Sequence, residues 1–302
     1  MIKPKSWIDI KGIWDLHQED NIQYLGPSDD QIPEIGLMLN DGTINKGKIA
    51  CNVQFPEHIS EARILFGYSS QAGKYYSAGL GGHGAGYAIQ EFIPQFGWVP
   101  IVLAGNSKNL RTGKDYSVEV QLIGSKVSLF VDDVRILEHV LDAPIKGNQI
   151  GLFTVGKTKV VFKDYSFEKQ PPDIFVVMQF SSQYEGLYKD VIKPVCEEYD
   201  LNVVRADDVF SEDGIILQDI IKSIVESEII IAEITPANQN VFYELGYAHA
   251  SKKPTILLAE KGKKLPFDIQ GFRTLFYENS ISGKNDIVGN LRKYLKAILN
   301  IK

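Results

Sequence analysis

The apolar residues of this chain change rhythm once, around Gln170-Pro171-Pro172-Asp173. Before that point they alternate singly with polar ones, at residues 48–55, 116–122 and 126–131. That two-residue period belongs to strands with one buried face. After it they form near-continuous runs, at residues 173–180 and 228–234, separated by segments with apolar residues three and four apart. Continuous runs are expected of parallel strands covered on both faces. The two prolines cannot donate to a sheet ladder, and each holds the residue before it extended, so the junction reads as a short, stiff linker. Nineteen of the 26 glycines lie before it. A chain of 302 residues has room for two domains at about 150 residues each, and the expected division is 1–170 and 171–302.

The first part reads as all-β. Further strands are expected at 63–68, 85–93, 149–154 and 159–168, with turns at Asn40-Asp41-Gly42, Lys146-Gly147-Asn148 and Ile123-Gly124-Ser125. The last turn makes 116–122 and 126–131 a hairpin. Many short strands without a long amphipathic helix predict a jelly-roll sandwich. In the second part, strands at 173–180, 201–204, 228–234 and 254–259 alternate with helices at 186–200, 215–225, 241–250 and 287–299. Leu187, Val191, Val195 and Cys196 point inward from the first helix, and Ile216, Ile220, Ile221 and Ile224 from the second. Such alternation predicts an open parallel sheet, whose ligands sit beyond the carboxyl ends of the strands.

Composition excludes several classes. Hydrophobic residues are 44% and charged residues 23%, the balance of an ordinary folded chain. No apolar run approaches the roughly 20 residues of a membrane span, and the first residues lack the apolar stretch of a signal peptide. Cys51 and Cys196 are too few and too far apart for a disulfide framework and lack metal-ligand spacing. A cytoplasmic location, no metal and no membrane association are expected. The net charge of −6 argues against nucleic acid as the main partner.

Several segments attract attention for different reasons. Gly79-Leu-Gly81-Gly82-His83-Gly84 has dinucleotide-motif spacing, but a strand-like segment follows where the motif needs a helix start. It reads as a flexible loop. Glycosidase chemistry in the first part would need two facing carboxylates. Asp132 and Asp133 are adjacent and so point to opposite faces of a strand, and Glu119 is alone on its strand. Trp7, Trp14 and Trp98 are candidates for sugar binding, although a core or rim position is the commoner use of tryptophan. The richest constellation is Ala232-Glu233-Ile-Thr-Pro-Ala-Asn238-Gln-Asn240-Val-Phe-Tyr243-Glu244-Leu-Gly246-Tyr247-Ala-His249. Asn240 is suited to cap a helix from Val241, and Asn240, Glu244 and Tyr247 then share one face. Apolar neighbours should raise the Glu244 pKa. Gly246, costly inside a helix, would admit a close neighbour.

The assembled pattern resembles the TIR-like and nucleoside 2-deoxyribosyltransferase-like group of bacterial domains. The resemblance covers residues 173–260 and rests on Phe175-Val-Val-Met-Gln-Phe180, Tyr188-Lys-Asp-Val-Ile-Lys-Pro194, Val204-Arg-Ala-Asp207, Ile229–Thr235 and, most specifically, Asn238–His249. It implies a TIR/flavodoxin-like parallel sheet with Glu244 as the catalytic residue. The group has proline where Gln179 stands and aspartate where Glu233 stands. Members cleave the nicotinamide–ribose bond of NAD+ or exchange bases on deoxyribose, through an oxocarbenium-like state that a carboxylate stabilises. The resemblance implies NAD+ or a related nucleotide as substrate, with no cofactor. Contacts are expected from Phe180, from Ser181 and Ser182 at the first helix start, from Tyr184 and Tyr188 stacking on a base, from Arg205 and Asp207, and from Glu233, Asn238, Asn240 and Tyr247.

Residues 1–170 more loosely resemble concanavalin A-like jelly rolls, through Asn148–Val155 and Val160–Phe167. That implies a sensor or assembly module whose trigger is a carbohydrate, a nucleotide or a protein. The whole implies a homo-oligomeric NAD+ hydrolase of bacterial anti-phage immunity, gated by its N-terminal domain or by assembly. The alternatives are a nucleoside deoxyribosyltransferase or nucleotide N-glycosidase, and a non-catalytic nucleotide-sensing or adaptor module.

Overall fold

A computed structural model describes residues 1–18, 21–27, 32–70, 73–205, 216–235 and 237–299. The chain forms two compact units, Met1–Leu141 with Ile145–Gln170, and Pro171–Lys302 with Asp142–Pro144.

The first unit is an antiparallel β-sandwich of the jelly-roll type. Its strands are β1 (Trp7–Lys11), β2 (Trp14–Gln18), β3 (Asn21–Tyr24), β4 (Glu34–Thr43), β5 (Gly47–Gln54), β6 (Glu61–Tyr68), β7 (Tyr75–Gly82), β8 (Ala85–Ile93), β9 (Gly97–Ala104), β10 (Asp115–Ile123), β11 (Lys126–Val131), β12 (Val134–Val140), β13 (Gln149–Gly156) and β14 (Val160–Lys169). They form two seven-stranded sheets, β1-β4-β13-β6-β7-β8-β9 and β12-β11-β10-β5-β14-β3-β2. Alternation sets the faces. In β10, Tyr116, Val118, Val120 and Leu122 point inward and meet Ile64, Phe66, Ala78 and Leu80 of the facing sheet. Ile123 pairs with Lys126, so Gly124-Ser125 is the tight turn of the expected hairpin, with Gly124 at φ +57°.

Three local expectations are corrected. Asn40-Asp41-Gly42 is not a turn between strands but a bulge inside β4: Thr43 pairs with Gln149 while Leu39 pairs with Gly151, and Asn40 Oδ1 accepts the Gly42 amide at 2.7 Å. Asp132 and Asp133 do not lie in a strand. They are the two left-handed residues, φ 51° and 62°, of the turn joining β11 to β12. The glycine-rich segment is not a loop: Gly79 to Gly82 belong to β7, and only His83-Gly84 forms a turn. A side chain on Gly79 (φ +154°) would meet Arg63 Cα at 2.8 Å, so glycine there lets β6 and β7 close around the Arg63 side chain. The three tryptophans are half-buried. Trp7 packs on Tyr165, Trp14 on Tyr24 and Trp98 on Phe153.

The second unit is a five-stranded parallel sheet with helices. Its strands are β15 (Asp173–Val177), β16 (Asn202–Arg205), β17 (Ile229–Glu233), β18 (Thr255–Glu260) and β19 (Thr274–Tyr277), in the order β16-β15-β17-β18-β19. All four pairings are parallel. The helices are α1 (Ser182–Leu187), continued through a π-turn (Tyr188–Ile192) into α2 (Lys193–Glu197), then α3 (Ile216–Glu226), α4 (Gln239–Ala250) and α5 (Ile281–Leu299). Residues of α1, the π-turn, α2 and α5 pack with Ile174, Val176, Ile229 and Ile231 on one face of the sheet. On the other face, α3 and α4 pack with Phe175, Val177, Ile230 and Ala232. Both faces are covered, which is why the interior residues Ile174–Val177, Ile229–Ala232 and Ile256–Ala259 are apolar in succession. The chain leaves β15 outward to β16 and returns on the other side as β17, so the order reverses between β15 and β17. In folds of this kind ligands bind beyond the carboxyl ends of the strands at such a reversal. No described helix is long and apolar enough to cross a membrane.

Candidate active site

Three clusters of sequence-selected residues lie at or near the carboxyl ends of the parallel strands. The first is α4. Its cap is Asn238, not Asn240: Asn238 Oδ1 accepts from the Asn240 and Val241 amides at 2.9 and 3.4 Å. The helix therefore begins two residues earlier than expected, at Gln239, and Asn240 is an exposed first-turn residue. Asn238 Nδ2 also reaches Gln179 Oε1, after β15, at 3.4 Å. Glu244 lies six positions past the cap and is buried, while Tyr247 is half-buried against the apolar cluster under α4. Among the described residues Glu244 has no hydrogen-bond or ion-pair partner, and burial alone pushes its pKa up to about 7. A side chain on Gly246 would meet nothing within 4 Å, so no described residue explains that glycine by close approach. His249 stacks on Phe272 at 4.4 Å, and burial lowers its pKa, favouring the neutral ring.

The second cluster surrounds Glu233, the last residue of β17, which is 1% exposed. Tyr277 donates to Glu233 Oε1 at 3.0 Å and the Thr235 amide does so at 3.1 Å. The Thr235 hydroxyl makes a further short contact to the same oxygen. Burial still wins over these bonds and pushes the Glu233 pKa up to about 7. Burial first, then the charges of Glu233 and Glu260, raises the Tyr184 pKa to about 12. Tyr184 and Tyr277 open on a cavity of about 580 Å³ at the start of α5, with Glu260, Asn279 and Lys284 also on its wall.

The third cluster is centred on Arg205, the last residue of β16. Its Nη1 donates to Glu185 Oε2 at 2.8 Å, and its guanidinium lies 4.2 Å from the Tyr188 ring centre and 5.8 Å from that of Phe180. Arg205 first, then Lys189, holds the Glu185 pKa down near 2. Asp207 lies outside the described residues.

Tyr184 and Tyr188 are 4% and 5% exposed and belong to the core. The Tyr188 ring already lies beside the Arg205 guanidinium. Spacing explains the burial of both: 184, 188, 191 and 195 form one inward stripe on the α1–α2 segment. Ser182 is exposed and Phe180 half-exposed, whereas the Ser181 hydroxyl is buried without a partner among the described residues. The structure thus brings together Glu233 with Tyr184, Arg205 with Tyr188 and Phe180, and Asn238 with Gln179. No described contact joins Glu244 to the other selected residues. Sequence reasoning missed Tyr277, Thr235 and Glu185. Thr235 stood two residues from Glu233 in the quoted motif, the i, i+2 spacing of a side chain that folds back on its neighbour. Among the described residues no group of three or more His, Cys, Asp or Glu is placed to hold a metal.

No family model matches the chain, and no curated protein matches it. Among solved structures it is similar to a carbohydrate-binding module from Bacillus subtilis, at 15% identity and TM-score 0.46, over 56% of this chain and 98% of that one. It is also similar to the galectin LEC-6 of Caenorhabditis elegans, at 15% identity and TM-score 0.31, over 47% and 96% of the two chains. A third is the CMP N-glycosidase of Clostridium botulinum, at 20% identity and TM-score 0.34, over 40% and 98%. None of these similarities assigns an activity to this chain.

Proposed function

We propose that the second unit cleaves an N-glycosidic bond of a nucleotide, with Glu244 as the catalytic carboxylate and NAD+ as the substrate. The observation that carries this reading is the state of Glu244: buried on α4, the helix that follows β17 at the strand switch, without a described partner and raised to about 7. An unpaired carboxylate in low dielectric interacts strongly with a cation delivered to it. The oxocarbenium-like state at an anomeric carbon is such a cation. Ionised, Glu244 stabilises that state or attacks it. Water or an intramolecular hydroxyl then completes the reaction, giving ADP-ribose or a cyclised form.

The leaving group decides between substrates. Nicotinamide departs from NAD+ as a neutral molecule and needs no proton. Ordinary nucleobases leave more readily when protonated, and no titratable neighbour contributes to the Glu244 shift. That favours NAD+ over a nucleoside monophosphate or deoxynucleoside. The second reading, a nucleotide N-glycosidase, draws on Glu233, also near 7, as an acid for the leaving base. The wider form of the proposal, NAD+ depletion in anti-phage immunity gated by the first unit or by assembly, follows from the motif resemblance alone.

The test is chromatography of the full chain, at high protein concentration, with NAD+, CMP, or deoxyadenosine plus a free base. The expected products are nicotinamide with ADP-ribose or its cyclic form. Cytosine from CMP, or base exchange, with NAD+ untouched, would overturn the substrate assignment.

A further inference from the structure

We infer that the second unit binds an aliphatic amine, as its ammonium ion, in the cavity bounded by α1, the carboxyl ends of β18 and β19, and the start of α5. This is the cavity of about 580 Å³ lined by Tyr184 and Tyr277, and its volume is that of a small-ligand site. Both tyrosines belong to the apolar cluster on the α5 face of the sheet, whereas α4, which carries Glu244, packs on the other face. The site is therefore additional to the proposed catalytic carboxylate.

Among the described residues no buried cation meets the negative charge of the inner wall. Glu260 ends β18 half-buried and lines the cavity. Glu233 is fully buried and bonded to the hydroxyl of Tyr277, itself on the wall, at 3.0 Å. Burial, and after it the Glu260 charge, push the Glu233 pKa up, and only hydrogen bonds from Thr235 and Tyr277 oppose them. Lys263 comes no closer to Glu260 than 3.8 Å and is exposed, a pairing worth little in water. Lys284 is the one cationic side chain on the described wall, and it too is exposed. Asp190 and Glu278, both exposed, add two further carboxylates at the rim, of which Glu278 is paired with Lys261.

A second observation, independent of these charges, points to a ligand. Tyr184 is 4% exposed, yet its hydroxyl has no hydrogen-bond partner among the described residues and, unlike that of Ser181, is not sealed from solvent. The side chain lies on the cavity wall, within reach of the charges of Glu233 and Glu260. Buried polar groups normally find partners. An ammonium ion is a partner for the hydroxyl and a counter-charge for the carboxylates together. Its N–H groups donate to the Tyr184 oxygen and, in charge-assisted bonds, to the Glu260 carboxylate. Leu187, Val191 and Ile287 give the aliphatic body an apolar wall. An alkylamine, like the lysine side chain at pKa about 10.4, is cationic at neutral pH. A neutral alcohol would satisfy Tyr184 and leave the charge standing. An anion would meet Lys284 but face three carboxylates.

Calorimetric titration of the full chain with butylamine, putrescine, 1-butanol and AMP tests this. Butylamine should bind about tenfold or more tighter than 1-butanol, which has the same body without the charge. Tighter putrescine binding identifies a diamine as the source, its second ammonium meeting Asp190, and equal or weaker binding a monoamine. Glu260→Gln should lose about tenfold or more in butylamine affinity. Tyr184→Phe should weaken butylamine with no fall in melting temperature, because the lost hydroxyl has no partner in the described protein. Lys284→Ala should leave amine affinity unchanged or raise it. No binding of butylamine or putrescine at millimolar concentration would overturn the inference. So would 1-butanol binding as tight as that of butylamine, or amine affinity untouched by both Glu260→Gln and Tyr184→Phe. AMP bound more tightly than either amine, and weakened by Lys284→Ala, would overturn it in favour of an anion site.

Discussion

Replacing Glu244 by Gln tests a physical consequence of its setting separately from activity. A carboxyl whose pKa is raised on folding is stabilising in its neutral form and costly in its charged form. Its native pKa is about 7 against an ordinary 4.5, so the native state binds the extra proton between those values. Stability therefore falls as pH rises from about 4.5 to about 7 and stays low above that range. The full displacement corresponds to about 3 kcal/mol at roughly 1.4 kcal/mol per pH unit. Solvent reaches part of the carboxylate, so about 1–2 kcal/mol is the realistic penalty. Gln is neutral at every pH and similar in volume. The variant should match the natural protein near pH 5 and exceed it by about 1–2 kcal/mol at pH 8. Urea denaturation of both proteins at the two pH values measures this, and contributions from Glu233 and from the first unit cancel in the difference. An unchanged gap between pH 5 and pH 8 would refute the buried, unpaired carboxylate on which the catalytic proposal rests.

Other substitutions probe the surroundings. Gly246→Ala should stabilise α4 by about 0.5–1 kcal/mol, read as a higher melting temperature, because its Cβ meets open space; a rise in KM at the same time would place substrate over that turn. Asn238→Ala should cost about 1 kcal/mol in a thermal melt through loss of the α4 cap. Lys253 donates to Val225 O and Ser227 O at 2.6 and 2.7 Å, so Lys253→Met should cost about 2–3 kcal/mol by denaturant titration. Arg205→Ala should let the Glu185 carboxyl titrate higher, towards the usual carboxylate range, as followed by NMR. If the first unit controls assembly, activity of residues 174–302 alone should rise faster than linearly with concentration, whereas proportional activity equal to the full chain's would reject that role.

Sequence carried much of the architecture because burial imposes periodicity. Val118, Val120 and Leu122 alternate because one face of β10 meets the core. Residues 229–233 do not, because both faces of β17 are covered. Local ambiguities were decided by tertiary contact. Asn238 and Asn240 are equally good caps in isolation, and only the approach of Gln179 and the packing of Val241 distinguish them. Tyr184 and Tyr188 looked like ligand platforms while completing a core stripe. β19 escaped notice because four residues, Thr274–Tyr277, carry too little pattern, and with it went Tyr277, the partner that defines the Glu233 site. The π-turn at Tyr188–Ile192 left no local signature. Glu244 was legible as a glutamate among aromatic and aliphatic neighbours, but its lack of a partner emerges only from the fold.

The central claim meets its most direct test in the pH dependence of nicotinamide release from NAD+ by the full chain, with Glu244→Gln measured alongside. If the ionised carboxylate stabilises or attacks the ribosyl cation, kcat should rise with pH to a plateau above about 7, following the Glu244 ionisation. The variant should release at least a hundredfold less at every pH. Nicotinamide release by Glu244→Gln at the rate of the natural protein would contradict the account.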